Sequence, residues 1–348
     1  MIHATIIGIA VRVAEGTTIL QAAQQYGIEI PTLCYMKHLT PEGSCRMCMV
    51  EIEGRPKLVT ACTFPIAEGN VIHTESERVV KARRGVLDLL MSHHDTQCFS
   101  CQANGDCKLQ DYCHQYGVKE SSFPKDEFTL PIDRSNKFFT YNPNLCILCH
   151  RCVNTCQKLV GRGAIDTTQR GFRSVISPAF GMDWSESNCE SCGSCVSACP
   201  TGALSTKAQN PFRVFETEKV RTTCTYCGVG CQIDLLVKDG KVVDARPADG
   251  PVNKGLLCVK GRFAFDFVNN EQRLKTPLVR KDGELVEATW DEALDLIADK
   301  IQETKRDFGP DAVAGFSSAR TINEDNYLFQ KFLRAAVGTN NVDHCARL

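Results

Sequence analysis

The sequence has no long apolar run, no excess of charge of either sign and only 2 tryptophans. No stretch approaches the ~18 consecutive apolar residues of a membrane-spanning helix, so insertion into a bilayer is not expected. Forty Lys and Arg stand against 41 Asp and Glu, a formal net charge of −1, which gives no global attraction to nucleic acid or to an anionic membrane. The start, Met1-Ile2-His3-Ala4, lacks the basic n-region of a secretory signal, and Arg83-Arg84 lies too deep to be an export signal. A cytoplasmic protein is the expectation. No Gly-x-Gly-x-x-Gly follows a strand pattern, and Gly161-Arg162-Gly163 does not fit one, so nicotinamide binding is not assigned to this chain. There is no Walker loop and no locally supported Ser/His/Asp constellation. What is abundant is cysteine, 21 in 348 residues. Disulfide frameworks belong to short secreted domains, so clustered thiols in a chain this long point to metal.

Five groups hold all the cysteines except Cys113, read as a bystander, and Cys345, read as structural. Before the first group, the pattern predicts a β-rich run over Thr5–Val13, a turn at Ala14-Glu15-Gly16, and a helix over Ile19–Tyr26. Thr17 or Thr18 would cap that helix and Gly27 would end it. Cys34-x10-Cys45-x2-Cys48-x13-Cys62 follows. Four thiolates suit two bridged irons, each taking two, although the first gap exceeds that of plant-type ferredoxins. A structural zinc is the alternative that spacing leaves open. The second group, His94-x3-Cys98-x2-Cys101-x5-Cys107, is ambiguous between zinc and iron–sulfur by local spacing, and His93 reads as a surface residue.

The third and fourth groups are the most specific. Cys146-x2-Cys149-x2-Cys152-x3-Cys156 precedes Cys189-x2-Cys192-x2-Cys195-x3-Cys199-Pro200. This is the bacterial two-cluster run, in which the fourth Cys of each motif serves the other cluster. The expected sets are Cys146, Cys149, Cys152 with Cys199, and Cys189, Cys192, Cys195 with Cys156. Gln157 replaces the proline that would complete the first run. The fifth group, Cys224-x2-Cys227-x3-Cys231-x26-Cys258, lies in a β-rich segment starting near Val220 and suits a cubane better than a zinc ribbon with its two balanced pairs.

Beyond Cys258 the pattern turns α/β. Thr289-x-x-Glu292 is a capping box. Its helix would place Ala293, Leu294, Ile297, Ala298 and Ile301 on one packing face and end before Gly309-Pro310. A strand over Ala312–Phe316 and a helix from about Glu324 to Val337, closed by Gly338, complete the reading.

The order of these motifs resembles three families. Residues 1–200 resemble the N-terminal arm shared by the large cluster-rich subunit of respiratory NADH dehydrogenase and by iron-only hydrogenases. That resemblance implies a [4Fe-4S] site at His94, Cys98, Cys101 and Cys107. From Cys224 to Cys258-Val259-Lys260-Gly261 the chain instead resembles the start of a molybdopterin oxidoreductase domain. Arg262-Phe263-Ala264-Phe265-Asp266-Phe267-Val268 then resembles formate dehydrogenases. Asn340-Asn341-Val342-Asp343-His344-Cys345-Ala346-Arg347-Leu348 looks like the segment that leads into that family's metal-ligating selenocysteine or cysteine, followed by His. The ligand is thus expected just after Leu348, with a UGA codon taken as termination; a short paralogue is the alternative.

The implied architecture is an α+β multidomain chain. It comprises a β-grasp [2Fe-2S] ferredoxin (1–78), a His/Cys-ligated [4Fe-4S] module (79–118) and a two-[4Fe-4S] ferredoxin (138–210). A [4Fe-4S] subdomain (217–275) and the start of an α/β pterin-binding domain (276–348) follow. The implied function is the electron-transfer portion of a formate dehydrogenase with Mo or W on molybdopterin in the full-length form. Lys260 would relay electrons between cluster and pterin. A flavin- and NAD(P)-binding diaphorase-like subunit, or ferredoxin, would take them up. A non-catalytic subunit of an NADH dehydrogenase- or hydrogenase-like complex is the alternative. One [2Fe-2S] and four [4Fe-4S] centres require about 18 iron atoms per chain and as much labile sulfide. Anaerobic reconstitution should approach that content; a folded preparation with stoichiometric zinc and little iron would contradict it.

Overall fold

The computed structural model describes residues 1–124, 129–207 and 211–345. Ala346, Arg347 and Leu348, which carry part of the C-terminal resemblance, lie outside the described residues. The chain divides into two compact units, Met1–Thr217 and Glu218–Leu348.

In the first unit, β1 (Ile2–Ile6) and β2 (Ile9–Val13) form a hairpin with register Ile2↔Val13 to Ile6↔Ile9. The expected β-rich run is therefore broken at Ile7-Gly8, where both residues take positive φ (47° and 82°), the geometry that matches the right-handed twist of a two-residue hairpin. Thr18 caps α1 (Ile19–Gln25) through a capping box with Gln21, and Ile19, Leu20, Ala22 and Ala23 are buried. Strands β3 (Met49–Ile52), β4 (Val59–Thr60) and β5 (Val71–His73) complete a sheet of order β2-β1-β5-β3-β4. Only β1 and β5 run parallel. Cys48 and Cys62 belong to the apolar core between this sheet and α1, so two thiols of the first group are fixed by the packing of the sheet itself.

Ser76 caps α2 (Glu77–Met91), whose inner face, Val79, Arg83, Leu87 and Met91, repeats every four residues. That face packs on α3 (Lys108–Tyr116), which starts at Cys107 and ends at Gly117 in the left-handed region. A second core joins Leu33, Met47, Leu87, Leu109 and Tyr112 to Cys107 and Cys113. Further along, β6 (Phe139–Tyr141) pairs antiparallel with β9 (Leu204–Thr206), closing a module that contains α4 (Arg151–Asn154), the hairpin β7 (Asp166–Thr168) and β8 (Val175–Ser177), and α5 (Ser194–Ala198). Buried Trp184 stacks edge-on against Phe139 at 5.2 Å.

The second unit opens with an antiparallel meander, β10 (Glu218–Thr223), β11 (Gln232–Lys238) and β12 (Lys241–Pro247), then α6 (Val259–Phe263) and the hairpin β13 (Leu278–Lys281) and β14 (Glu284–Glu287). Thr289 caps α7 (Trp290–Phe308) as expected, yet only Ala293 of its apolar face is buried. Leu294 and Ile297 are each 54% exposed. The strand expected at Ala312–Phe316 starts later, as β15 (Gly315–Ser317), because Pro310–Ala312 coil into a 3-10 turn. α8 (Asn323–Phe332) widens into a further turn through Val337 and stops at Gly338 (φ 91°). β16 (Val342–His344) pairs parallel with β15.

This burial difference is testable. Ile72→Ala, in the sheet core, should lower the opening free energy of the first unit by ~2–5 kcal/mol in native-state hydrogen exchange. Leu294→Ala should change that of α7 by less than about 0.5 kcal/mol.

Candidate metal centres

Cys34 follows the buried Leu33, Cys45 and Cys48 flank the turn into β3, and Cys62 follows β4. The thiols meet as two pairs, Cys34 with Cys45 and Cys48 with Cys62. The hydrogen bond from Cys45 pulls the Cys34 thiol down to about 5, and that from Cys62 pulls Cys48 to about 7. Cys45 and Cys62, the donors, are pushed up first by the same bonds and then by burial. The sequence neighbours Cys45 and Cys48 thus belong to different pairs. Two adjacent thiol pairs fit two bridged irons, each taking two thiolates.

In the second group His94 is buried, 7% exposed, with Nδ1 shielded from solvent. His93 points outward against Phe172, ring centroids 5.5 Å apart. Cys107 begins α3, and Cys113 is buried in the same apolar core; burial pushes both thiols up to about 11. Gly202 is where the two-cluster module reaches this group, since a Cβ there would stand 2.6 Å from Cys101 Sγ. Arg213 donates to the carbonyls of Phe99 (2.8 Å) and Cys101.

The third and fourth runs line two cavities. Cys146, Cys149, Cys152 and Cys199 surround one, and Cys156, Cys189, Cys192 and Cys195 surround another, each partly open to solvent. The last cysteine of each run therefore crosses to the other cavity. Each loop turns left-handed on both sides of its middle cysteine, at Leu148 (φ 48°) and His150 (φ 59°), and at Ser191 (φ 54°) and Gly193 (φ 75°). Backbone N–H groups of Leu148 and Ser191 point at the sulfurs of Cys146 and Cys189, 3.4 Å away in both runs. Burial pushes Cys146 to about 11 and Cys149 to about 12. These are thiols that remain protonated until metal displaces the proton.

In the second unit, the Cys224 N–H donates to Cys231 O (2.8 Å), folding the fifth group's loop back on itself. Cys258 is exposed at the start of α6, and its charge acts on Cys224 and Cys231. Burial pushes the Cys224 thiol up, and the Lys260 charge only partly opposes that rise; Lys260 Nζ stands 6.0 Å from the Tyr226 ring centre. Arg262 is buried on Asp244 and the Ala245 carbonyl (2.6 Å). Cys345 is exposed, 3.3 Å from Ser318 Oγ. Among the described residues no three His, Cys, Asp or Glu side chains are set to hold a single metal ion. The donors of the first, third and fourth groups stand instead in pairs and in rings around cavities, a disposition that fits clusters.

Known protein families match the chain in the same order. A 2Fe-2S iron-sulfur cluster binding domain covers residues 1–77, and an NADH-ubiquinone oxidoreductase-G iron-sulfur binding region covers 83–122. A 4Fe-4S dicluster domain covers 145–203, a molybdopterin oxidoreductase Fe4S4 domain 217–270, and molybdopterin oxidoreductase 273–348. The chain is a run of iron–sulfur domains leading into a molybdopterin oxidoreductase domain. It is 39% identical over its whole length to NADPH-Fe(3+) oxidoreductase subunit alpha of Geobacter sulfurreducens, covering 40% of that protein. It is 38% identical, again over its whole length and 40% of the relative, to an NADH-quinone oxidoreductase subunit of Rhizobium meliloti. A Staphylococcus aureus protein named "Putative formate dehydrogenase" is 33% identical over 96% of this chain and 38% of its own length. The chain thus spans about two fifths of these relatives. Among solved structures, the NAD+-reducing [NiFe]-hydrogenase in its H2-reduced state is similar at TM-score 0.54 and 29% identity, over 60% of this chain and 88% of that one.

The burial contrast at the second group sets a test. His94→Cys exchanges a neutral donor for an anionic one and should shift the midpoint of one [4Fe-4S] signal in redox-monitored EPR. His93→Ala should leave every signal in place; the reverse pattern would contradict the assignment.

Proposed function

We propose that this chain is the electron-transfer portion of a molybdopterin-dependent formate dehydrogenase. One [2Fe-2S] would sit at Cys34, Cys45, Cys48 and Cys62, and [4Fe-4S] centres at the other four groups. The observation that carries the relay is the crossing of Cys156 and Cys199 between two four-cysteine cavities. When bound, the clusters supply one-electron storage and the pterin metal supplies the two-electron chemistry of formate and CO2.

The protein's own residues set the route within the first unit. Lys108 N–H donates to Pro200 O (3.0 Å), tying the residue after Cys107 to the residue after Cys199. Gly202 admits Cys101 beside the same loop. Tyr112 then bridges the second group to the first, its hydroxyl accepting from Thr32 N–H (3.1 Å) while its ring shares a core with Cys107 and Cys45. The order read from these contacts is the Cys146 cavity, the His94 group, then the Cys34 group. In the second unit Lys260 holds a positive charge beside Cys224, suited to favouring an electron in passage. The two-cluster module and the β-grasp character of the first sheet belong to the same reading.

The formate assignment is supported by Arg262–Val268, Asn340–Cys345 and the Staphylococcus relative. A second reading, a pyridine-nucleotide-linked electron-transfer subunit without formate chemistry, is favoured by the higher identities to the NADPH-Fe(3+) and NADH-quinone oxidoreductase subunits. In either case a diaphorase-like partner carrying flavin and NAD(P) is the proposed acceptor, with ferredoxin as the alternative. The hydrogenase neighbour's name, NAD+-reducing, supports the former. No helix among the described residues is long and apolar enough to cross a membrane.

The activity of the full-length protein tests this reading. Formate-dependent viologen reduction is expected. A full-length protein that carries its clusters and pterin yet leaves formate untouched would favour the second reading.

A further inference from the structure

Arg83 is the largest fully buried side chain among the described residues, at 0% exposure, and no part of the proposed route uses it. It projects from the inner face of α2 into the loop that carries Cys48. Its Nε donates to Met47 O at 3.0 Å and its Nη2 to Met49 O at 2.9 Å. The guanidinium thus grips the two carbonyls on either side of Cys48, itself 1% exposed. Nη1 donates to Tyr116 Oη at 2.7 Å and meets the Glu75 carboxylate, to which the Tyr116 hydroxyl also donates, at 3.1 Å. Four of the five N–H groups of the planar fork are thus bonded, and each of its three nitrogens has a partner, as a buried charge requires.

The two charges of this network are not equivalent. The Arg83 side chain is wholly buried, whereas that of Glu75 is half exposed, so water screens the carboxylate and not the guanidinium. The Cys48 loop therefore sits in a positive field. Reduction of a thiolate-bound centre adds negative charge, and such a field favours it. Resting on the cluster assignment proposed above, we propose that Arg83 is a positioning residue for the [2Fe-2S] site. It fixes the Cys48 loop through Met47 and Met49 and raises the reduction potential of what the loop holds. Glu75 tempers it.

A purely structural arginine would not predict opposite shifts from its two ends. In the reconstituted 348-residue chain, followed by redox-monitored EPR, Arg83→Met should lower the reduced-to-oxidised ratio of the [2Fe-2S] signal at fixed potential at least tenfold, 59 mV for one electron. Glu75→Gln, at a half-exposed position that should not unfold the protein, should raise the ratio at least threefold. Arg83→Lys should restore most of the loss, and the [4Fe-4S] signals should stay within threefold throughout. A wild-type [2Fe-2S] potential in both Arg83→Met and Glu75→Gln, or shifts of the same sign, would overturn the proposal. If Arg83→Met fails to assemble the centre, the Glu75→Gln and Arg83→Lys results decide it by the same criteria. A wild-type chain with four [4Fe-4S] signals and no [2Fe-2S] signal would instead overturn the cluster assignment on which the proposal rests.

Discussion

Bringing thiols from distant parts of the chain to one place is the constraint around which this structure is arranged. Cys34 and Cys62 lie far apart along the chain, with β3 and β4 between them, yet their partners Cys45 and Cys48 are three residues apart. The sheet satisfies this by placing Cys48 and Cys62 in its own core. In the two-cluster module the loops hold left-handed residues on both sides of Cys149 and Cys192. Small modules of this kind have little surface to bury, and metal binding contributes directly to their folding free energy.

Burial and charge then divide the labour among the sites. Burial pushes the Cys146 and Cys149 thiols up, whereas mutual hydrogen bonds already draw Cys34 and Cys48 toward thiolate. Glycine appears where a backbone must let a sulfur approach, as at Gly202 beside Cys101. The shared core of Leu33, Met47, Leu87, Leu109 and Tyr112 makes the first two sites one mechanical body, so a change at α2 or α3 reaches both.

Much of this was legible in the residues. The cap at Thr18, the cap at Thr289 and the stop at Gly338 follow from local chemistry that tertiary contacts do not override. The contrast between buried His94 and outward His93 follows the spacing to Cys98. Other features had no local signal. The pairing of Cys34 with Cys45 depends on how the strands fold back, not on Cys-x2-Cys proximity. Leu148, His150 and Ser191 take positive φ because the loop must wrap a four-sulfur site, and nothing in their residue types announces it. Arg83 reads as one more surface cation of an amphipathic helix until Met47, Met49 and Tyr116 are seen around it. The apolar stripe of α7 was visible, but periodicity cannot say whether anything covers it, and Leu294 and Ile297 are exposed.

The central claim is that two separate four-sulfur centres exchange their last cysteines. Four single Ser variants in the full chain, each compared by ⁵⁷Fe-Mössbauer and EPR spectroscopy, test it directly. Cys146→Ser and Cys199→Ser should perturb one and the same [4Fe-4S] centre, while Cys189→Ser and Cys156→Ser perturb the other. Perturbation of a single centre by Cys146→Ser and Cys156→Ser together, with Cys189→Ser and Cys199→Ser sharing the second, would contradict the account.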